Sequence, residues 1–168
     1  MVLSLKEEIR GLFISMPEFQ LLIKNIFQFE SRSVFVALNA ALKKMNIDHS
    51  FIKQIADTGI LDSFLDAIKN PKMCAICLMT LQTIVSKGIC EAYLKFVPLS
   101  VSILQEEQYD IISKKAVLQL LATMGPFENA SKAIKGCEEL MTFVTNDHNP
   151  NLEKYRTALM KIVQRYSA

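Results

Sequence analysis

The chain is predicted to be all-helical, built from a three-helix unit repeated about every forty residues. Three observations predict this. Apolar residues make up 51% of 168, with five Gly and five Pro, too few breakers for the many turns a β-sandwich needs. Apolar positions recur at helical spacing throughout, as in Leu5, Ile9, Leu12 and Phe13. The pair Phe64-Leu65 returns as Ile103-Leu104 and again as Leu140-Met141.

The first segment, Leu3 to about Met16, carries the stripe just named. Pro17 opens a second helix, because its fixed φ and missing N–H suit a first turn, with Phe19, Leu22, Ile23, Ile26 and Phe27 on one side. Ser31-Arg32-Ser33 breaks and caps, and a third helix runs through VFVALNAALKKM. Asp48-His49-Ser50 caps the next unit, whose short helix carries Ile52, Ile55 and Ala56 and ends at Gly59. Ile60, Leu61, Phe64, Leu65 and Ile68 mark its second helix. Pro71 opens its third, with Cys74, Cys77, Leu78, Leu81 and Val85 on the stripe and Gly88 after it.

The third helix keeps the register: Leu78, Leu81 and Val85 match Val117, Leu120 and Met124, then Leu159, Ile162 and Tyr166. A small residue accompanies each, Ala37, Cys77, Ala116 and Ala158. Pro98 stands where Gly59 and Gly136 end the first helix in their units, and NDHNPN supplies a longer last turn. One such unit cannot cover its own apolar face, so stacking is what makes a core. The first unit departs most and is expected to act as a cap. An array ending on Leu159, Ile162, Val163 and Tyr166 with no polar capping helix implies a fragment, a dimer or a partner that finishes the stack.

IADTGILDSFLDAIKN followed by CAICLMTLQTIV resembles the armadillo consensus: a Gly at the first turn, a paired-apolar second helix, a small-then-Leu third helix. The resemblance covers essentially the whole chain as one domain, residues 1–168, of four degenerate repeats, about 3–47, 48–88, 89–125 and 126–168. A HEAT-like reading is its near neighbour. It implies a right-handed α-solenoid whose third helices line a concave groove for extended peptides or partner helices. In importin-α-like and β-catenin-like members an Asn recurs on the third helix. The matching positions here are Ala40, Thr80, Gln119 and Lys161, and the chain has no Trp, so a nuclear-import-type groove is not expected. The partner-binding candidates carried over are Thr80, Gln119 and Lys161, with Lys115 one turn earlier and Lys44 and Arg165 one turn later.

No catalytic constellation stands out. Cys74-Ala75-Ile76-Cys77 is a CxxC without the further ligands of a zinc site or the βαβ context of a redox site, and core packing is the better reading. His49 and His148 lie in polar turns, and no phosphate-binding loop or nucleophile elbow occurs. No catalytic residue, metal ligand or cofactor is assigned. The expected function is a non-catalytic scaffold for a protein or peptide partner, with homo- or hetero-oligomerisation through terminal repeats as the alternative.

Nucleic acid is the least favoured partner, because 19 basic and 17 acidic residues leave a formal net charge of +2. Even so, Lys43-Lys44, Lys114-Lys115, Lys154, Arg156, Lys161 and Arg165 fall on or near third helices. A solvated face balanced by Glu106-Glu107 and Glu138-Glu139 is the plainer account of them. No apolar run reaches the roughly 18 residues of a membrane span. Lys6, Glu7, Glu8 and Arg10 interrupt the N-terminal stretch a signal peptide needs, and four cysteines do not make a secreted framework. An intracellular site, cytoplasmic or nuclear, is expected.

Overall fold

In the computed structural model, the described residues are 49–166 together with the isolated helical positions Glu18, Leu21, Asn25, Ser33, Val36 and Ala40. Among them the secondary structure is entirely helical, eight α-helices and one 3-10 helix, with no strand. The chain forms two compact units, Met1–Cys90 and Glu91–Ala168. Their boundary falls beside the one expected between the second and third repeats. The stripe expected over Leu3 to Met16, Pro17 with Phe19, Leu22, Ile23, Ile26 and Phe27, and Lys44 lie outside the described residues.

In the first unit, α1 (His49–Asp57), α2 (Ile60–Ile68) and α3 (Pro71–Val85) follow one another, with α2 packed on both others. The α1–α2 break is conformational: Gly59 sits at φ 74, ψ 8, the left-handed region a residue with a Cβ enters at a cost. Asn70 caps α3, its side chain accepting from the Lys72 N–H at 3.1 Å, and Pro71 takes the first helical position. Phe64, Ile68, Leu78, Leu81 and Ile84 are among the residues buried here. Gly88, at φ 154, closes the unit; a Cβ there would meet Ile52 Cδ1 at 2.9 Å.

The second unit begins with a 3-10 turn, Glu91–Lys95, that runs directly into α4 (Phe96–Gln105). The repeat pattern predicts that Pro98 ends a helix; it does not. It lies in the first turn of α4, where a missing N–H breaks no intrahelical bond. After a polar loop come α5 (Ile111–Met124), α6 (Glu128–Gly136), α7 (Glu138–Asn146) and α8 (Pro150–Arg165). Gly136 is the last residue of α6 and has no positive φ; the α6–α7 break is made by Cys137 at φ −87, ψ 88.

Packing in this unit pairs like with like. The 3-10 turn lies on α6, α4 on α7, and α5 on α8, while α4 packs on α5 and α7 on α8. Two layers result, α4 with α7 and α5 with α8. The paired-apolar positions are buried as expected in Ile103, Leu104 and Leu140, and half-buried in Met141. Ile162 presses its Cγ2 onto Gly125 so closely that a Cβ at that position would collide with it.

Candidate functional site

The third helices share an origin that their apolar pattern alone does not mark. Each of α3, α5 and α8 opens with an Asx side chain accepting a backbone N–H: Asn70 from Lys72, Asp110 from Ser113 at 2.7 Å, and Asn149 from Asn151 at 3.0 Å. Counting from these caps aligns three rows of outward side chains: Lys72, Ala75 and Met79; Ile112, Lys115 and Gln119; Asn151, Lys154 and Ala158. Ala75 and Lys115 are half-buried and the other seven exposed. Ser33, Val36 and Ala40 repeat the same spacing and are all exposed. Steps of three then four residues keep one face of a helix.

This count corrects the ladder read from the consensus. Thr80 does not stand in an outward row. It lies one position, roughly 100°, further round α3 than Met79. It is wholly buried, with its hydroxyl donating to the Ile76 carbonyl at 2.9 Å. Met79, 47% exposed, holds the row position instead. Gln119 is exposed where the reading put it. Its counterpart on α8 is Ala158, also exposed, and Lys161 stands a turn beyond, exposed on the same side together with Arg165.

In the second unit the rows on α5 and α8 flank one junction. Lys115 Nζ lies over the Tyr155 ring, 5.9 Å from its centroid, tying the two rows together by a cation–π contact. Arg165 stands similarly over Tyr166 at 5.7 Å. Ile112 projects at 60% exposure beside Lys115. Helix α5 contains two lysines and no carboxylate, and α8 has Glu153 as its one acid against Lys154, Arg156, Lys161 and Arg165. Among the described residues, none of Lys115, Lys154 and Lys161 pairs with a carboxylate.

Arg156 is the exception among these cations. It turns back from α8, donates through Nη1 to the Val144 carbonyl at 2.9 Å, and faces Asp147. Its charge is committed to the α7–α8 turn.

Two acid pairs stand on the other layer. Glu106 and Glu107 are exposed just past α4, and Glu138 and Glu139 are exposed at the start of α7. A shallow cleft of about 510 Å³ lies there, lined by Gln105, Glu138, Glu139, Thr142, Phe143, Asn146 and Asp147. The carboxylates expected to balance the lysines are thus on a different layer from them.

Groups with chemical potential elsewhere are spoken for. Cys74 and Cys77 are both fully buried. Burial, and then the neighbouring Cys74, push the Cys77 thiol up to about 12, so it stays protonated and unreactive. His49 is exposed at the start of α1 and His148 is exposed in the α7–α8 turn. Leu159 and Val163, expected at an uncovered end, are buried, Ile162 is half-buried, and Tyr166 is 42% exposed.

No family model, curated protein or solved structure matches the chain. Among the described residues, no helix is long and apolar enough to cross a membrane.

Proposed function

We propose that the chain is an intracellular armadillo-like scaffold, cytoplasmic or nuclear, that binds a peptide or helix of another protein along the outward rows of its third helices and carries out no chemistry. The observation that supports this most is the pairing of equivalent helices in the second unit, with α5 on α8 leaving Ile112, Lys115, Gln119, Lys154, Lys161 and Arg165 displayed around one junction. A helix pair that buries its apolar stripe in its own layers yet presents a row of long side chains is suited to recognition, because those side chains are free to fill gaps in a ligand. Pairing through open apolar ends is the weaker reading, since Leu159 and Val163 are already covered.

The test is affinity capture by the full chain beside its Lys115→Glu/Lys161→Glu variant, with thermal melting of both. A partner lost by the variant while the melting temperature stays within about 2 °C supports the reading. Equal capture by both proteins moves the binding face elsewhere.

A further inference from the structure

We infer that the ligand of the α5–α8 face is an acidic segment of a partner protein, its carboxylates meeting Lys115, Lys154 and Lys161 and one apolar side chain covering Ile112. The inference rests on the scaffold reading above and adds the chemistry of the occupant. Exposed lysines on a folded surface are ordinarily interspersed with acids, which hold the local potential near neutral. Here Lys115, Lys154 and Lys161 have no carboxylate partner among the described residues, the acids of the two helices are Glu153 and the cap Asp110, outnumbered by the cations, and the exposed pairs Glu106-Glu107 and Glu138-Glu139 stand on the other layer. The face is therefore electropositive without being strongly basic as a whole chain, whose formal net charge is +2.

That division favours a short acidic segment over a nucleic acid. A long polyanion extends beyond the patch and meets the field of Glu106, Glu107, Glu138 and Glu139, which repels it; a segment of a dozen or so residues stays within the basic face. Ile112, 60% exposed among the cations, asks for an apolar partner that a phosphate backbone does not supply. The Lys115 ammonium over Tyr155 holds one cation in place before the ligand arrives, lowering the ordering cost of the first ion pair.

The probe is a fluorescein-labelled peptide of about fourteen residues, rich in Glu with a Leu at every fourth position, titrated with the full chain by fluorescence anisotropy. Its Gln-for-Glu counterpart and a labelled oligothymidine serve as comparisons. The expected result is binding of the Glu peptide that weakens about tenfold in Lys115→Gln/Lys161→Gln, and likewise in Lys154→Gln/Lys161→Gln, whose positions are exposed. Raising salt from about 50 to 200 mM should weaken it further, and Ile112→Ser should cost several-fold at both salts. Lys132→Gln, which touches only the exposed Glu128 pair on α6, should change nothing.

Equal binding of the Gln peptide, or lysine variants that bind as well as the native chain, overturns the inference. So does an oligonucleotide held more tightly through the same lysines. If no acidic peptide binds while protein capture still depends on Lys115 and Lys161, the scaffold reading survives and the acidic ligand does not.

Discussion

Arg156 on α8 stands with its Nε 3.3 Å from Asp147 Oδ2 while its Nη1 donates to the Val144 carbonyl at 2.9 Å. The two ion-pair side chains are 12% and 21% exposed, so solvent screens them less than it does a surface pair. The Val144 carbonyl belongs to the last turn of α7, which lacks an intrahelical partner, and Asp147 also accepts from the Asn149 N–H at 3.3 Å. One guanidinium thus holds the turn that sets α8 against α7. Arg156→Met should lower unfolding stability by about 2 kcal/mol, because a largely buried carbonyl and carboxylate lose a charged donor. Urea unfolding of the full chain measures it, and a change below about 0.5 kcal/mol would show the turn holds without the arginine.

Met79 and Thr80 separate the two possible registers of α3. Met79→Lys should leave stability within about 0.5 kcal/mol, since the side chain already points outward at 47% exposure. Thr80→Lys should cost about 3 kcal/mol or more, by forcing an ammonium into a fully buried position. Thermal melts of both variants decide the matter; equal tolerance would restore Thr80 to the surface row.

Gly88 and Gly136 look alike in sequence and should behave oppositely. At Gly88 the φ of 154 and the 2.9 Å approach of Ile52 Cδ1 both oppose a side chain, so Gly88→Ala should destabilise by about 1–2 kcal/mol. At Gly136 a Cβ meets nothing within 4 Å, the φ is not positive and the residue is helical, so Gly136→Ala should stabilise by a few tenths of a kcal/mol. Chemical denaturation of the pair tests the contrast.

Cys77 makes stability depend on alkaline pH. Its thiol is raised from 9.0 to about 12 by burial, and next by Cys74. Between those values the unfolded chain releases this proton and the folded chain keeps it, so folding stability falls as pH rises from about 9. Cys77→Ala should flatten that decline in urea midpoints measured from pH 8 to 10.5, at the cost of a small cavity. At pH 8 a thiol reagent should label the half-buried Cys90 and Cys137 ahead of the fully buried Cys74 and Cys77, which should react only on unfolding. Rapid labelling of all four in the native chain would contradict the burial.

Much of the local structure was legible in the residues. Gly59, Asn70-Pro71 and Asn149-Pro150 announce their turns, because a left-handed φ and an Asx cap before a first-turn proline are properties of single residues and near neighbours. The burial of Phe64-Leu65, Ile103-Leu104 and Leu140 followed from their spacing. Pro98 was misread because a proline is compatible with both the end of one helix and the first turn of the next, and the 3-10 turn before it continues straight into α4. Thr80 was misread because a degenerate repeat aligned on apolar residues tolerates a slip of one position, which turns a side chain from the solvent into the core. The caps supply the origin that removes that slip.

The sequence by itself determined the all-helical class seen in the described residues and the breaks at Gly59 and Pro71, since periodicity and turn chemistry act over only a few residues. Only the tertiary structure decided which side of α5 and α8 remains open, that Lys115 meets Tyr155, that Arg156 serves a turn instead of the basic face, and that Glu138 and Glu139 stand on another layer from Lys115 and Lys161. These relations join residues tens of positions apart, and packing sets them: the apolar stripes choose which faces meet, and the polar side chains take the places left over.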